Sequence, residues 1–262
     1  MSQSPLEFLV VIPARLGSTR LLRKPLADIG GKPMVIRVAE RAKASLAQSV
    51  IVATDSPEIA QACEDHRIEC LLTSADHPTG TDRIAEVARL LKLPPQTLVV
   101  NVQGDEPLIP PELINQVAQT LADHPVCALS TVAVQISDPT EIDNPNAVKV
   151  VLNKADEALY FSRAPIPFVR DPNTPTSHLR HLGIYAYRAE FLQAYTRLDP
   201  APPEQAEALE QLRALWNGYR IAVHTASEAP PAGVDTKIST TLLNPPLDIK
   251  LDSNCALCSA FK

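Results

Sequence analysis

The sequence predicts an α/β fold with a mostly parallel central sheet flanked by helices, of the Rossmann-like kind, and a smaller lobe in its second half. Short apolar runs alternate with amphipathic stretches through the first half, as repeated strand–helix–strand units require. The sequence pattern then changes, because most of the long proline-rich connections lie in the second half. A length of 262 residues suffices for one domain of this kind with a substantial core.

The elements of the first half follow from this alternation. Apolar runs predict five strands, at Phe8–Pro13, Val50–Thr54, Glu69–Leu72, Thr97–Val102 and Ala128–Val134. Helical periodicity predicts the intervening helices, at Pro33–Ala47, Glu58–His66, Thr81–Leu91 and Pro111–His124. Ser56 is a suitable N-cap for the second of these helices, and Pro57 suits its first turn.

The second half predicts fewer elements. Strands are expected at Val148–Asn153 and Gly183–Tyr187, and helices at Glu190–Thr196 and Glu204–Trp216. Residues 237–262 show no helical periodicity and do not resemble the rest of the chain. We therefore expect one domain over residues 1–236, followed by an atypical tail that is disordered or foreign to the domain.

Composition narrows the class of protein. The net charge is −6 and aromatic residues make up only 4%, which argues against a nucleic-acid partner. There is no apolar run of about 20 residues and no signal-peptide pattern, so we expect a cytoplasmic protein without a membrane partner. Cys63, Cys70 and Cys127 are expected to be free thiols. Cys255 and Cys258 have no second pair beside them and predict no metal site.

The segment after the first strand carries a local positive charge. Arg15, Arg20, Arg23 and Lys24 lie between Glu7 and Asp28 with no acidic residue among them, although the whole chain is acidic. A cationic loop between a first strand and a helix is where α/β proteins bind phosphates. The pattern indicates a small polyanion and an enzyme that handles nucleotides.

Carboxylates follow two other predicted turns. Asp105 and Glu106 come directly after the strand Thr97–Val102, at the ligand-binding edge of a parallel sheet, where Gly104 would let the backbone approach a ligand. Asp235 lies in a second glycine turn. Carboxylates at such positions suit Mg²⁺, although an ordinary strand-ending turn explains Asp105 equally well.

Further polar residues stand beside apolar runs and allow two interpretations each. Thr81 either caps its helix or faces a ligand. Arg163, His181 and Tyr185 are candidates for a substrate site, while a structural role for His181 is the ordinary alternative. Glu210 is either a ligand or part of a solvated helix face.

Together these motifs resemble the 3-deoxy-manno-octulosonate cytidylyltransferase (CMP-Kdo synthetase) family. The resemblance runs in order over about residues 8–236, and such a series is far more specific than any one member. It rests on Val11–Arg15, Ser18–Arg20, Lys24–Leu26, Ala53–Asp55, Gly80–Arg83, Asn101–Pro107, Asn146–Lys149, Tyr160–Ala164, Arg180–Tyr185, Leu209–Arg213 and Gly233–Thr236.

The resemblance implies a Mg²⁺-dependent nucleotidyltransferase. It would transfer CMP from CTP to the sugar acid Kdo, releasing pyrophosphate, in lipopolysaccharide synthesis. The domain would have a nucleotide-binding half at about 8–130 and a sugar-binding half at about 131–236, and it would form a homodimer.

The resemblance also implies roles for individual residues. CTP would be bound by Pro13, Ala14, Arg15, Arg20, Lys24, Asp55, Gly80, Arg83 and Gln103. The sugar acid would be bound by Gln103, Arg163, His181, Tyr185, Glu210 and Gln211. Asp105 and Asp235 would hold Mg²⁺, and the catalytic residues would be Lys24, Asp105, Asp235 and Arg15.

Two departures from the family pattern bear on these expectations. Leu22-Arg23 stands where the family has Pro-Gly, which makes a positive φ harder to adopt next to Lys24. After Thr236 the family continues into a closing helix, whereas this chain continues with Lys237 and a different sequence.

Other functions stay open at this point. A related nucleotidyltransferase could act on sialic acid, on a methylerythritol phosphate or on the 8-amino analogue of Kdo. A non-catalytic nucleotide-binding protein is an alternative of another class. A dinucleotide-dependent oxidoreductase is disfavoured, because no Gly-x-Gly-x-x-Gly follows the first strand.

Overall fold

A computed structural model describes residues 6–17, 23–171, 173–231 and 233. The strands are β1 Phe8–Ala14, β2 Asp28–Ile29, β3 Lys32–Pro33, β4 Ser49–Thr54, β5 Glu69–Leu72, β6 Leu98–Asn101, β7 Leu129–Gln135, β8 Lys149–Leu152, β9 Ala158–Ser162, β10 Leu179–Arg188 and β11 Ile221–Ala226. The α-helices are α1 Met34–Lys43, α2 Pro57–Asp65, α3 Gly80–Leu90, α4 Pro111–Asp123, α5 Ala189–Tyr195, α6 Pro202–Glu207 and α7 Gln211–Trp216.

The central sheet has the strand order β5-β4-β1-β6-β10-β7-β11. β1 pairs in parallel with β4 and β6, β4 with β5, and β7 with β11. Among these seven strands of the described chain, β10 alone runs against this direction, between β6 and β7. The hairpin β8–β9 branches from β10 as an antiparallel extension. The predicted fold class, a mostly parallel sheet with a smaller second part, is confirmed.

Alternating side chains of β1 enter two separate cores. Val10 and Ile12 face α1 and α4, while Val11 faces α3 on the other side of the sheet. Successive side chains of a strand point to opposite faces of the sheet. A strand that is apolar on both faces therefore belongs in the middle of a sheet that helices cover on both sides. The strand Phe8–Ala14 lies there, which explains why its sequence is a continuous apolar run.

The predicted helix Glu204–Trp216 is wrong as a single element. It is divided into α6 and α7, because Ala208 adopts a left-handed conformation with φ 51°. The strand predicted at Gly183–Tyr187 is longer and spans Leu179–Arg188. The short strands β9 and β11 were not predicted at all, since neither shows a clear alternation of apolar and polar residues.

Two smaller predictions are confirmed, the N-cap of α2 and the free state of three cysteines. Ser56 caps α2, and its hydroxyl accepts a hydrogen bond from the Ile59 backbone N–H at 3.4 Å. Cys63, Cys70 and Cys127 are free cysteines. In the described ranges, none of the helices combines the length and apolar character needed to cross a bilayer. The tail at 237–262 lies outside the described residues, and the division into nucleotide and sugar halves stays a prediction.

Candidate functional site

The carboxyl ends of β1 and β6 lie side by side, since the two strands pair in parallel. The Val102 backbone N–H donates to the Val11 carbonyl at 3.2 Å, which keeps the segments after the strands in contact. A Cβ atom on Gly104 would lie only 3.0 Å from the Pro13 carbonyl oxygen. Gly104 is therefore needed for the packing of the two strand ends, a different reason from the expected close approach to a ligand.

A cavity of about 180 Å³, the cationic cavity, opens at these strand ends. It contains six of the residues predicted to bind a nucleotide, together with two that were not predicted, His77 and Thr79. Its lining residues are Pro13, Ala14, Arg15, His77, Thr79, Gly80, Arg83 and Gln103.

Arg83 and Asp55 form an ion pair beside this cavity. The Arg83 side chain is only 4% exposed, and its Nη2 lies 3.1 Å from Asp55 Oδ1. A buried guanidinium needs such a partner, because an isolated buried charge is strongly unfavourable. Asp55 does not line the cavity, so the structure connects it to the cavity through Arg83.

Thr79 and Thr81 have different roles at the N-terminus of α3. Thr79 is the cap, and its hydroxyl accepts the Asp82 backbone N–H at 3.2 Å. Thr81 does not cap the helix; its hydroxyl donates to Glu210 Oε2 at 3.3 Å. Of the two interpretations of Thr81, the structure favours the one in which it faces a site.

Lys24 and Asp105 face each other next to the cationic cavity. Lys24 Nζ donates to Asp105 Oδ2 at 2.7 Å. Arg23 precedes Lys24 and adopts φ 56°, the left-handed conformation that glycine would take with less strain. Arg23 also forms an ion pair with Glu58 on α2. Lys24 therefore reaches Asp105 even though Leu22-Arg23 stands where the family has Pro-Gly.

The residues around Asp105 fit a hard divalent cation. Its carboxylate is 36% exposed and already accepts a cationic partner. Gly233 packs against this turn, where a Cβ atom would lie 3.2 Å from the Asp105 carbonyl oxygen. Mg²⁺ takes one or two carboxylates and completes its shell with water and phosphate oxygens, so few protein ligands suffice. The described residues contain no group of three or more His, Cys, Asp or Glu side chains suited to a metal.

A second cavity of about 300 Å³, the aromatic cavity, adjoins the first. Gly80 and Gln103 line both cavities. Five residues predicted to bind a sugar acid line it, namely Gln103, His181, Tyr185, Glu210 and Gln211. Other lining residues were not predicted to bind the sugar acid, among them Thr81, Asn101, Tyr187, Phe191 and Tyr195.

The hydrogen bonds of His181 define its tautomer. The Thr131 hydroxyl donates its one proton to a carbonyl, with Ile184 O at 2.7 Å the nearest. Thr131 Oγ1 therefore accepts from His181 Nε2, 2.9 Å away, which leaves His181 Nδ1 as an acceptor. Burial lowers the pKa of His181 to about 3, so the ring is neutral at physiological pH.

The other ionisable groups of the aromatic cavity are shifted toward their neutral forms. Burial raises the pKa of Tyr185 well above its ordinary value, so its hydroxyl stays protonated. Desolvation also raises the pKa of Glu210, against the hydrogen bond from Thr81 and the charge of Arg213, which lower it. The cavity therefore presents neutral hydroxyl and ring groups together with one carboxyl group, a set suited to hydroxyl-rich ligands.

Three buried polar atoms in the wall of the aromatic cavity lack a hydrogen-bond partner within the described part of the chain. They are Asn101 Oδ1, Tyr195 OH and Gln211 Nε2. Asn101 had a signal in the sequence, because it is a polar residue inside the apolar run Val99–Val102. Tyr187 and Tyr195 had none, since aromatic residues at such spacing usually belong to a core.

Four predicted site residues among those that the structure describes line neither cavity, namely Lys24, Asp55, Asp105 and Arg163. The guanidinium of Arg163 donates instead to the main-chain carbonyls of Pro145, Glu207 and Ala208. Arg20 and Asp235 lie outside the described residues.

Comparison with known proteins gives a consistent picture. A family model described as cytidylyltransferase matches residues 9–221. A 3-deoxy-manno-octulosonate cytidylyltransferase of Polynucleobacter asymbioticus is 85% identical over 232 residues, which are 88% of this chain and 91% of that protein. The protein of the same description from Polynucleobacter necessarius subsp. necessarius is 81% identical over 237 residues, 90% and 93% of the two chains.

Solved structures agree with these relatives. A CMP:2-keto-3-deoxy-manno-octonic acid synthetase complexed with CTP is 41% identical, with a TM-score of 0.84, over 91% of this chain and 99% of that one. A cytidylyltransferase from Leptospira borgpetersenii serovar Hardjo-bovis is 14% identical, with a TM-score of 0.60, over 98% and 92% of the two chains. The second likeness concerns the fold alone.

Proposed function

The chain belongs to the cytidylyltransferase family, among the 3-deoxy-manno-octulosonate cytidylyltransferases, and on this premise we propose that it transfers CMP from CTP to Kdo and releases pyrophosphate. The observation that carries the proposal is the contact between the two cavities. Gly80 and Gln103 line both, so a ligand in one can react with a ligand in the other. A transferase for two substrates requires this arrangement.

CTP would occupy the cationic cavity. Arg15 is exposed at its mouth, and Lys24 lies beside it near Asp105. Both side chains are suited to the oxygens of a triphosphate, Arg15 through its planar fork and Lys24 as a point charge. Arg20 is proposed to join them on the basis of the family resemblance.

Kdo would occupy the aromatic cavity. Its hydroxyl groups need both donors and acceptors, which Tyr185, Gln211, Glu210 and the Nδ1 atom of His181 supply. A neutral His181 is the form that accepts a hydrogen bond from a sugar hydroxyl. Gln103, which lines both cavities, would hold the sugar acid against the nucleotide.

The reaction consists of one displacement at phosphorus. The anomeric hydroxyl of Kdo forms a bond to the α-phosphorus of CTP, the bond from that phosphorus to the bridging oxygen of pyrophosphate breaks, and the hydroxyl proton passes to water. Negative charge accumulates on the phosphate oxygens and on the departing pyrophosphate. Arg15 and Lys24 are placed to stabilise that charge, while the walls of the two cavities hold the reacting atoms in line.

We also propose that the activity depends on Mg²⁺, with Asp105 and Asp235 as its protein ligands. The chemistry that Mg²⁺ supplies when bound is a lower pKa for the attacking hydroxyl and neutralisation of charge on the α-phosphate. Lys24, now paired with Asp105, would then be available to the triphosphate.

The first experiment measures pyrophosphate release from CTP in the presence of Mg²⁺, with and without Kdo. Kdo-dependent release is the expected result. Release that is equal without Kdo, or faster with sialic acid or a methylerythritol phosphate, would overturn the assignment. Parallel assays with the 8-amino analogue of Kdo compare the two closest sugar acids, and omission of Mg²⁺ tests the metal requirement.

We further propose a homodimer that works in the cytoplasm and supplies lipopolysaccharide synthesis. Large apolar side chains are exposed on β9 and the segment after it, with Leu159 at 60% and Phe168 at 83%. Exposed apolar side chains of this size are typical of an interface. Free thiols are in keeping with a reducing compartment. Light scattering coupled to gel filtration tests the dimer, which Phe168→Asp should weaken.

A further inference from the structure

Arg163, Lys149 and Glu207 form a connected group outside the aromatic cavity. None of the three side chains lines that cavity, although all three lie within or beside motifs that resemble the family. Lys149 is completely buried, which is unusual for a lysine unless it has a specific task. We call these three residues the brace.

Lys149 ties two main-chain segments together. Its ammonium donates to the Asn144 carbonyl at 2.9 Å and to the Arg163 carbonyl at 2.6 Å. Burial lowers the pKa of Lys149, while the nearby charges of Asp143 and Glu207 oppose that shift. A hydrogen bond from a buried charged group contributes more to stability than a neutral one. Lys149 therefore holds the main-chain carbonyl group of Arg163 in place.

Glu207 fixes the same residue from the other side. Its carboxylate accepts the Ser162 hydroxyl at 2.6 Å and the Arg163 backbone N–H at 2.9 Å. The end of α6 is thereby attached to the end of β9.

Arg163 then attaches the corner between α6 and α7. Its Nε donates to the Glu207 carbonyl at 2.6 Å, Nη1 to Pro145 O at 2.9 Å and Nη2 to Ala208 O at 3.4 Å. Ala208 has φ 51°, a conformation that costs an alanine free energy and needs support from its surroundings. Glu210 and Gln211 follow this corner directly and enter the cavity wall.

We infer that Arg163, Lys149 and Glu207 are positioning residues, which hold the corner at Ala208 so that Glu210 and Gln211 face the sugar acid. This inference rests on the proposed function. It replaces the expected direct contact between Arg163 and the substrate carboxylate, because Arg163 does not line the aromatic cavity and three of its five N–H groups already donate to carbonyl oxygens.

The decisive variant is Glu207→Ala. The carboxylate of Glu207 in the wild type would repel an anionic substrate and does not line the aromatic cavity. Its contacts therefore serve the brace alone. Loss of the brace should raise KM for Kdo about tenfold, since small displacements of binding groups are costly, and leave KM for CTP unchanged. Arg163→Lys should behave alike, because lysine keeps the charge but cannot reach three carbonyls. Gln205→Ala, an exposed change on the same helix, is the matched control.

A second measurement separates positioning from direct contact. Kinetics with Kdo and with its methyl ester give the preference of each variant for the free carboxylate. A positioning role leaves that preference in Arg163→Lys and Glu207→Ala at the wild-type ratio. If Glu207→Ala keeps the wild-type KM for Kdo, or if Arg163→Lys alone loses the preference for the carboxylate, the inference is wrong.

Folding and function are controlled separately. CTP binding and the unfolding temperature of each variant report whether the domain is intact. If Glu207→Ala does not fold, Glu207→Gln replaces it, because glutamine keeps one acceptor oxygen. The KM of Glu207→Gln for Kdo should rise about threefold. Partial recovery of the KM for Kdo is expected when Ala208→Gly is added to Arg163→Lys, since glycine adopts the positive φ unaided. No recovery would also count against positioning. A wild-type protein that ignores Kdo would instead refute the proposed function.

Discussion

The two cavities share a wall but are assembled in different ways. The cationic cavity is built from three short segments, at the ends of β1 and β6 and the start of α3, all within the first 103 residues. The aromatic cavity combines residues from positions 80 to 214, and its main strand, β10, runs antiparallel between β6 and β7. The nucleotide side thus follows from parallel strand ends, whereas the sugar side depends on distant parts of the chain meeting correctly.

This contrast explains where the brace is needed. The cationic cavity is formed by strand ends and a helix N-terminus that the sheet itself positions. The wall of the aromatic cavity includes the corner at Ala208, which lies between two six-residue helices and not at the end of a strand. Polar contacts from Arg163 and Glu207 support this corner instead. Substitutions on the nucleotide side and on the sugar side should therefore have different effects on activity and stability.

The largest effect is expected on the nucleotide side, for Asp105→Asn. We expect kcat to fall about 10³-fold, because the change removes a carboxylate beside the reacting phosphate, while CTP binding weakens only about threefold. Steady-state pyrophosphate release and calorimetric titration with CTP measure the two quantities. Asp123→Asn at the exposed end of α4 is the control. A kcat close to that of the wild type would remove Asp105 from the mechanism.

The next effect concerns the pH dependence of stability on the sugar side. The pKa of His181 is lowered to about 3 in the folded protein, so below its ordinary pKa of 6.5 the unfolded state binds more protons. Stability from the neutral ring is fully present above pH 6.5 and is lost as the pH falls toward 3. We expect the free energy of unfolding to drop by about 1 to 2 kcal/mol more between about pH 7 and pH 5 in the wild type than in His181→Gln.

Urea denaturation at several pH values measures this difference. Burial also lowers the pKa of His224, so His181→Gln should keep part of the dependence on pH. Identical pH profiles for the two proteins would show that His181 is not held neutral by the fold.

Gln103→Leu should affect both substrates, since Gln103 lines both cavities. Loss of one hydrogen bond to each ligand predicts that KM for CTP and KM for Kdo both rise about tenfold. Initial rates with each substrate varied in turn give the two constants. Gln119→Leu, on the exposed surface of α4, should change neither. A rise confined to one substrate would mean that the two ligands do not meet at Gln103.

The smallest effect is expected for Arg23→Gly. Glycine adopts the φ of 56° without the strain of a side chain, which should raise the free energy of unfolding by about 1 kcal/mol. Loss of the exposed ion pair with Glu58 offsets about 0.5 kcal/mol at most. Glu58→Gln measures that loss alone. Destabilisation by Arg23→Gly beyond the effect of Glu58→Gln would contradict the left-handed conformation.

The predicted bounds agree with the structure for most elements of both halves, and the failures lie at the short strands and at the corner between α6 and α7. The strand Glu69–Leu72 was predicted with its observed bounds, and the other predicted elements of the first half lie within a few residues of the observed ones, because hydrophobic periodicity reports which face of an element is buried. The two-residue strands β2 and β3 were not predicted. Six residues that the resemblance assigns to CTP line the cationic cavity together, while their role in binding stays a prediction. In the second half, the break at Ala208 had no signal, as alanine favours helix and nothing local demands φ 51°.

The fold class, the apolar strands and the cationic segment after β1 could be read from the amino-acid sequence, because these depend on the order and periodicity of neighbouring residues. The tertiary structure alone decided three further points. It turned Arg163 toward the corner at Ala208, made Gly104 a packing requirement against Pro13, and gathered Asn101, Tyr187 and Tyr195 around one cavity. Contacts between residues far apart in the chain carry no local signal, so only the packed sheet and its helices bring them together.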